Sequence, residues 1–209
     1  LLTLQLINQH KSQYEAAIEK FPDDWQLHYN YGRLLMASSH QVDAVTQFFI
    51  VTQAIPHHVE AHFDLGVAYL ESENYLTAME RFQQVLTMQP DYMDAFYNIA
   101  FCSFKLGKTE EAIAKYQDLI RMDPSYENAY YQLGSIYFKK EDWPAAEGYY
   151  AKVIELNPQS IDAYISLGLI HGKQGNYRKA LDLFNQALEI QPDNPSILRY
   201  VHAAQQKLQ

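Results

Sequence analysis

Small, aromatic and aliphatic residues recur along this chain at a fixed interval of 34 residues. If residues 25, 59, 93, 127 and 161 are counted as position 1 of successive units, position 20 is always alanine and position 24 is always aromatic. Position 8 is glycine, except for Ala100 in the third unit. Six prolines keep the same interval, at Pro22, Pro56, Pro90, Pro124, Pro158 and Pro192. An unbroken period of this length predicts one supersecondary unit stacked on itself.

Within each unit, the apolar positions have the period of an α-helix. Positions 4, 7, 8 and 11 share one helical face, and positions 20, 24 and 27 share another. Each unit therefore predicts two amphipathic helices joined by a short turn, with breakers such as Gly107 and Gly175 in that turn. Proline at position 32 ends the second helix, and we expect Asp91, Ser125 and Asp193 after it to cap the next one.

This pattern resembles that of the tetratricopeptide repeat family, which places aromatic, Leu-Gly, Tyr, Ala, Phe and Pro residues at those offsets. The resemblance implies an all-α fold, a right-handed superhelix (α-solenoid) of helix-turn-helix repeats. Departures lie mostly in the aromatic slots, where position 4 holds His28 and His62 in the first two units. We expect a partial, degenerate N-terminal repeat at 1–24 with its helix within 8–21, five repeats at 25–58, 59–92, 93–126, 127–160 and 161–194, and a capping helix at 195–209.

Composition narrows the classes of partner. Sixteen basic residues against 25 acidic ones give a formal charge of −9, which argues against a nucleic-acid or anionic-membrane surface. No run of 18 apolar residues occurs, so no membrane span is predicted. A single cysteine excludes an internal disulfide framework. The chain begins at Leu1, which leads us to expect a fragment or processed product; the compartment stays open, with the cytoplasm slightly favoured, and so does the oligomeric state.

No motif in the chain carries catalytic chemistry. There is no phosphate loop, dinucleotide fingerprint or nucleophile elbow, so we predict neither enzyme activity nor a cofactor. Cys102 falls at a packed helix position with no base placed beside it. His57, His58 and His62 lie close together, but no cysteine or carboxylate completes a metal site at the usual spacing, so no metal is predicted. We interpret His28, His62 and His171 as core residues satisfied by hydrogen bonds.

Positions 5, 6, 9, 12 and 13 of each first helix lie beside or opposite its packed stripe, and we call them the inner strip. In the family, this side of the helix faces the concave surface where ligands usually bind. Aromatic and aliphatic residues dominate positions 5, 9 and 12, while amides recur at position 6 and lysines at position 13. The predicted peptide-binding residues are Tyr29, Asn30, Arg33, Phe63, Val67, Leu70, Tyr97, Asn98, Phe101, Phe104, Lys105, Tyr131, Gln132, Phe138 and Lys139.

Two interpretations of this strip stay open. Tyrosine at position 5 and lysine at position 13 are common family choices at solvated positions, so part of the pattern needs no ligand. Phe101 and Val67 at position 9 are less expected, and an apolar strip facing outward indicates a partner. We expect Tyr97, Phe101, Phe104, Tyr131 and Phe138 to form one contiguous patch. The strip is acidic near the second repeat and basic toward the last ones.

Members of the family that bind chaperone C-termini resemble one another in a clamp of lysine, asparagine and arginine side chains. No window of this chain supplies that set, because aromatic residues stand where the clamp lysines would be. A chaperone-tail adaptor is therefore disfavoured.

A second apolar surface is predicted on the outer side of the first repeat. Val42, Phe49 and Ile50 project there, on the side where a later repeat carries Arg178, Asp182 and Asn185. Contact with the N-terminal half-repeat would explain them, and so would docking of another subunit.

The leading hypothesis is a non-catalytic scaffold that binds a partly apolar peptide or helix in its concave groove. One alternative is the recognition arm of a larger, glycosyltransferase-like enzyme whose repeats carry an inner asparagine ladder, although only Asn30 and Asn98 fit that ladder here. Another is a self-assembly module that polymerises through the outer patch and the terminal repeats.

Overall fold

The helices follow the 34-residue register closely. The computed structural model describes the backbone of residues 2–209 and the side chains of residues 6–209. This part of the chain contains twelve α-helices and no strand, which confirms the predicted all-α class. The helices are α1 (Leu2–Lys20), α2 (Trp25–Ala37), α3 (Gln41–Ala54), α4 (Val59–Glu71), α5 (Tyr75–Met88), α6 (Met93–Lys105), α7 (Thr109–Met122), α8 (Glu127–Lys139), α9 (Trp143–Leu156), α10 (Ile161–Lys173), α11 (Tyr177–Ile190) and α12 (Pro195–Gln206).

Each repeat consists of an even-numbered helix and the odd-numbered helix after it. The first helix of every repeat begins at position 1 and ends at position 13, and the second spans positions 17 to 30. The N-terminal helix α1 is longer than predicted, because it begins at Leu2 and not near residue 8. At the other end, α12 follows Asn194, whose side chain accepts hydrogen bonds from the N–H groups of Ser196 and Ile197.

The chain divides into two compact units, residues 1–115 and residues 116–209, and the division falls within α7. In the first unit, each helix from α1 to α6 packs against the next one along the chain. In the second unit, the helices from α8 to α12 pack in the same sequential manner. Within each unit, these helices thus bury their apolar stripes against their chain neighbours, as a stacked repeat requires.

A glycine of the first helix lies against an aromatic ring of the second helix in the same repeat. A methyl group added at Gly66 would lie 2.7 Å from Cε1 of Phe82, and one at Gly32 would lie 2.7 Å from Cε1 of Phe48. Both rings are fully buried. The same contact joins Gly134 to Tyr150, and its geometry explains the pattern of a small residue at position 8 and an aromatic one at position 24. Burial of one such ring stabilises the fold by about 1.5–3 kcal/mol.

The turn inside each repeat contains one residue in the left-handed conformation, always at position 15. This residue is glycine in two repeats, with φ of 78° at Gly107 and 79° at Gly175. In the other three repeats it is Ser39, Glu73 or Glu141, each with φ of 59°. The following N–H closes the helix end, as where Asn74 donates to the carbonyl of Tyr69 over 2.8 Å.

The expected N-caps are wrong by one residue. Position 34, and not position 33, caps the first helix of the next repeat. His58 is the N-cap of α4, and Tyr92, not the expected Asp91, is the N-cap of α6. The chain after the helix-ending proline makes a turn in which Tyr92 N–H donates to the carbonyl of Gln89. Position 33 lies within this turn, so the capping residue is the next one, at position 34. Ser125 instead donates its N–H and hydroxyl to Asp123.

Candidate functional site

Three of the aromatic rings at position 5 of the inner strip pack against the position-24 ring of their own repeat. Tyr29 lies against Phe48 with ring centroids 5.9 Å apart, and Phe63 lies against Phe82 at 5.5 Å. In the second unit, Tyr131 meets Tyr150 edge-on at 5.4 Å. Each of these three rings is half-buried. They therefore contribute to the repeat core and present only part of their surface to a ligand.

Tyr29 also links neighbouring repeats through a polar contact. Its hydroxyl donates to Oδ2 of Asp64 over 2.9 Å, which ties α2 to α4 on the inner side. Burial, with the Asp64 carboxylate close by, raises the pKa of Tyr29, so the phenol keeps its proton. Burial also raises the pKa of Asp64, while the Tyr29 hydrogen bond and the Arg33 guanidinium oppose that rise. Asp64 is thus a fixed, partly desolvated acceptor.

A cleft opens beside this contact in the first unit. It has a volume of about 320 Å³ and contains both apolar and charged side chains. Its lining residues are Arg33, Met36, Ala37, Phe48, Asp64, Val67 and Glu71. Two predicted peptide-binding residues, Arg33 and Val67, thus share one cleft with two carboxylates. The arrangement offers an apolar floor bordered by one cation and two acceptors.

The remaining inner-strip residues of the first unit lie along α2, α4 and α6. Val67 and Leu70 are half-buried and pack at the edge of the core of the second repeat. Phe101 is half-buried as well, and the Lys105 ammonium lies 5.4 Å from its ring centroid, within the range of a cation–π contact. Tyr97, Asn98 and Phe104 are half-buried, whereas Asn30 is exposed.

In the second unit, the predicted site residues lie on α8. Phe138 packs edge-on against Trp143, with ring centroids 5.3 Å apart, and borders the core formed with Tyr150 and Leu167. Gln132 is half-buried and Lys139 is exposed. The predicted patch of five aromatic residues therefore includes three on α6 in the first unit and two on α8 in the second. Its contiguity stays a prediction.

An aromatic cluster around His58 was missed by the sequence analysis. The His58 ring lies 5.3 Å from Trp25 and 5.1 Å from Tyr29, measured between ring centroids. Its Nδ1 accepts the N–H of Ala61 as the cap of α4. One repeat later, the equivalent Tyr92 lies 5.0 Å from Phe63. Aromatic residues at position 34 in consecutive repeats are the signal that would have identified this extension of the inner strip.

Cys102 and His62, which were considered for catalysis and metal binding, are buried in the core. Cys102 is fully buried, and burial raises the pKa of its thiol to about 12, so it holds no thiolate at neutral pH. His62 is buried, with Nε2 3.1 Å from the carbonyl oxygen of Pro56. Within the described residues, no group of three histidine, cysteine or acidic side chains has the arrangement of a metal site. None of the helices described has the length and apolar content of a membrane span.

The outer patch is only partly covered. Ile50 is half-buried and borders a cleft shared with Lys11, Glu15 and Ile18 of α1, as contact with the N-terminal helix would require. Val42 remains 74% exposed and Phe49 remains 43% exposed. Leu76, which occupies on α5 the position that Val42 holds on α3, is 61% exposed.

Comparison with known families agrees with this geometry. Sequence models described as tetratricopeptide repeat match residues 11–54, 69–114 and 125–193, and one described as TPR repeat matches residues 103–141. The chain belongs to the tetratricopeptide repeat family. Its fold and family support the function of a protein-interaction scaffold. Among curated protein sequences, none matches the chain significantly.

Solved structures show the same fold. The crystal structure of MamA is 27% identical, with a TM-score of 0.65 over 77% of this chain and 94% of that one. YrrB, described as a TPR protein with an unusual peptide-binding site, is 23% identical, with a TM-score of 0.60 over 92% of this chain and 97% of that one. TTC0263, a thermophilic TPR protein in Thermus thermophilus, is 20% identical, with a TM-score of 0.68 over 87% and 99% of the two chains.

Proposed function

We propose that the inner strip binds a partly apolar peptide segment of a partner protein. The cleft in the first unit carries this proposal, because it combines Val67 and Met36 on an apolar floor with Arg33, Asp64 and Glu71. Small peptide segments are held by this combination: an apolar pocket supplies affinity, and a few placed polar groups fix the orientation. The predicted strip and the cleft share Arg33 and Val67.

Each group of the cleft has a distinct role in the proposed complex. Burial of one aliphatic side chain on the floor contributes about 1.5–3 kcal/mol. Asp64 is already held by Tyr29, so it can accept a peptide N–H without losing further side-chain freedom. Arg33 is exposed and donates to a peptide carbonyl or carboxylate. Outside the cleft, the exposed amide of Asn30 on α2 can donate to and accept from a peptide backbone.

Proteins of this family are generally non-catalytic scaffolds, and we propose no catalytic role for this chain. The buried thiol of Cys102, with its raised pKa, supports this, because a nucleophilic cysteine needs an accessible thiolate.

Introduction of a negative charge on the inner strip tests the proposal. Peptides selected from a random display library on the wild-type protein are measured by fluorescence anisotropy against Phe101→Glu and Val67→Glu. Both variants should bind at least about tenfold more weakly, since loss of about 1.4 kcal/mol of apolar contact is a factor of ten. Circular dichroism should show unchanged helix content, because neither side chain is fully buried.

Phe49→Glu on the outer patch is the matched control, since Phe49 is 43% exposed and lies on a second helix. It should leave peptide affinity unchanged. If Phe49→Glu abolishes binding while both inner-strip variants retain it, the outer patch is the binding surface and the proposal is wrong.

A second candidate function is self-assembly through the outer patch. The exposure of Val42 and Leu76 at equivalent positions of α3 and α5, together with Phe49, favours it. Exposed apolar side chains repeated at one register position are typical of an interaction surface. Light scattering on the same Phe49→Glu variant decides this: a mass above the monomer for the wild type that falls in the variant would support assembly, and a monomeric wild type would exclude it.

A further inference from the structure

The second unit contains an apolar hollow that the predicted site does not include. It lies among α10, α11 and α12 and has a volume of about 270 Å³. Its floor contains Gly168, Ala180, Phe184 and Ala204, which are all buried. Tyr200, stacked on Phe184 with centroids 5.2 Å apart, forms one wall. The hollow is therefore framed largely by core residues.

A single glycine explains why this hollow exists. Position 12 of the inner strip holds Met36, Leu70, Phe104 and Phe138 in the first four repeats, but Gly172 in the fifth. Gly172 lines the hollow, and a methyl group added there would meet no atom within 4 Å. The space that a large side chain fills elsewhere on the strip is thus left open here.

Two lysines border the hollow. Lys173 ends α10, and Lys207 follows α12; both line the hollow, and both are exposed. The Lys173 ammonium lies 5.8 Å from the ring centroid of Trp143. Within residues 6–209, neither lysine forms an ion pair. Two cations at the rim of an apolar hollow favour a ligand with an apolar body and negative charge beside it.

We propose that this hollow binds an aliphatic anchor residue of an acidic peptide segment. The anchor side chain occupies the space beside Gly172, and carboxylates next to it in the peptide pair with Lys173 and Lys207. The inference rests on the proposed function, that the inner strip binds peptides, and adds the chemistry of one subsite. The first-unit cleft sets two carboxylates, Asp64 and Glu71, against one cation, Arg33, so an acidic segment is less favoured there than at the hollow.

The test uses a fluorescein-labelled, amidated peptide with the sequence Asp-Glu-Leu-Glu-Asp after a Gly-Gly spacer. We expect saturable binding by anisotropy at low salt that weakens as salt rises, because the lysine–carboxylate pairs are exposed. The same peptide with alanine or asparagine in place of leucine should bind at least about tenfold more weakly, since less apolar area is buried.

Gly172→Leu is the decisive variant. It fills the hollow and should weaken binding of the leucine peptide at least about tenfold, while thermal stability is kept or raised, because leucine favours a helix more than glycine does. Gly172→Ala is the matched control: it brings a similar helix preference but leaves most of the space, so it should retain binding. Lys173→Glu with Lys207→Glu should also weaken binding and reverse its salt dependence, because added salt then screens a repulsion.

No saturable binding of the leucine peptide, or equal binding by wild type and Gly172→Leu, overturns the inference. Equal affinity for the leucine and asparagine peptides also overturns it, because the charges alone would then hold the ligand. Stronger binding of an unamidated peptide ending in leucine would place the required carboxylate at a chain end and refute the internal anchor. Loss of library-peptide binding in Phe101→Glu but not in Gly172→Leu would leave the proposed function standing without this subsite.

Discussion

The first two repeats contain the same buried histidine in two different environments. His28 and His62 occupy position 4, and each places Nε2 against the carbonyl oxygen of a helix-ending proline, 2.9 Å from Pro22 and 3.1 Å from Pro56. The rings differ at Nδ1. In the first repeat, Nδ1 lies 2.8 Å from Oε1 of Gln47. In the second, position 23 holds Arg81, and both His62 Nδ1 and Arg81 Nε are buried without a hydrogen-bond partner.

The difference follows from what each neighbour can donate and accept. A glutamine amide accepts from a protonated imidazole and, when rotated, donates to a neutral one. An arginine only donates, and its charge opposes protonation of the ring. Burial lowers the pKa of His62, and the charges of Arg81 and His58 lower it further, although the Pro56 carbonyl and the Gln84 side chain oppose the shift. The repeat geometry thus fixes where the ring lies, while burial together with the charge at position 23 of the adjacent helix lowers its pKa.

The largest effect is expected where the two repeats are alike. Gly32→Ala and Gly66→Ala each place a methyl group 2.7 Å from a buried phenylalanine ring. Overpacking of this kind costs about 1–3 kcal/mol, which is larger than the gain of up to about 1 kcal/mol in helix preference. Because Ala100 holds the same position in the third repeat, we expect strain and a lower free energy of unfolding, not loss of the fold. Urea denaturation followed by circular dichroism measures it.

Gly148→Ala on α9 is the control for that pair. A methyl group there would meet no atom within 4 Å, so the variant should gain about 0.5–1 kcal/mol from helix preference alone. If Gly32→Ala and Gly66→Ala stabilise the protein as Gly148→Ala does, the ring contact does not constrain position 8.

The next effect concerns the position at which the two repeats differ. Arg81→Gln places a glutamine at position 23 of the second repeat, where the first repeat has Gln47. The new amide can pair with His62 Nδ1, so the free energy of unfolding should rise by about 1 kcal/mol at neutral pH. The pKa of His62 should also rise toward its ordinary value, because the opposing charge is gone. An NMR titration of the His62 ring protons measures this pKa in both proteins, and an unchanged value would show that burial alone lowers it.

The pH dependence of stability follows in sign from the lowered pKa. A histidine whose pKa is lower in the folded state than the ordinary 6.5 binds its proton more readily when unfolded. Its contribution to stability is complete above pH 6.5 and is lost as the pH falls from there through the folded-state pKa. We expect the wild type to lose more stability than Arg81→Gln between about pH 7.5 and pH 5, as measured by urea denaturation. Parallel losses would assign the acid sensitivity to other groups.

Much of the fold could be predicted from the sequence because every repeat has the same packing contacts at the same positions. Small residues at positions 8 and 20, an aromatic residue at 24 and proline at 32 fix where helices start, pack and stop. The cap at position 34 could not be predicted, since His58 and Tyr92 have weak capping preference and the turn before them decides the register.

The candidate site was predicted less completely than the fold. Its residues follow from register, but their availability does not: whether Tyr29 faces a ligand or Phe48 depends on a rotamer that no periodicity specifies. The cleft at Arg33 and Asp64 forms between repeats and requires the spacing of two helices. Gly172 departs from the pattern at position 12, but the hollow beside it could not be predicted, because residues of α12 form part of its lining.

The smallest effect is expected in the turns, which also compare the two repeats directly. Ser39 and Glu73 both have φ of 59°, a conformation that costs a residue with a side chain roughly 1–2 kcal/mol and glycine almost nothing. Since glycine also gains freedom in the unfolded chain, Ser39→Gly and Glu73→Gly should each raise the free energy of unfolding by only about 0.5 kcal/mol. The gains should be equal, because the backbone is the same in both turns although the residues differ. Urea denaturation of both variants beside Gly107→Ala, which should lose stability at the same position of the third repeat, measures this. A gain for one and a loss for the other would mean that the Ser39 or Glu73 side chain makes a contact that matters more than its backbone strain.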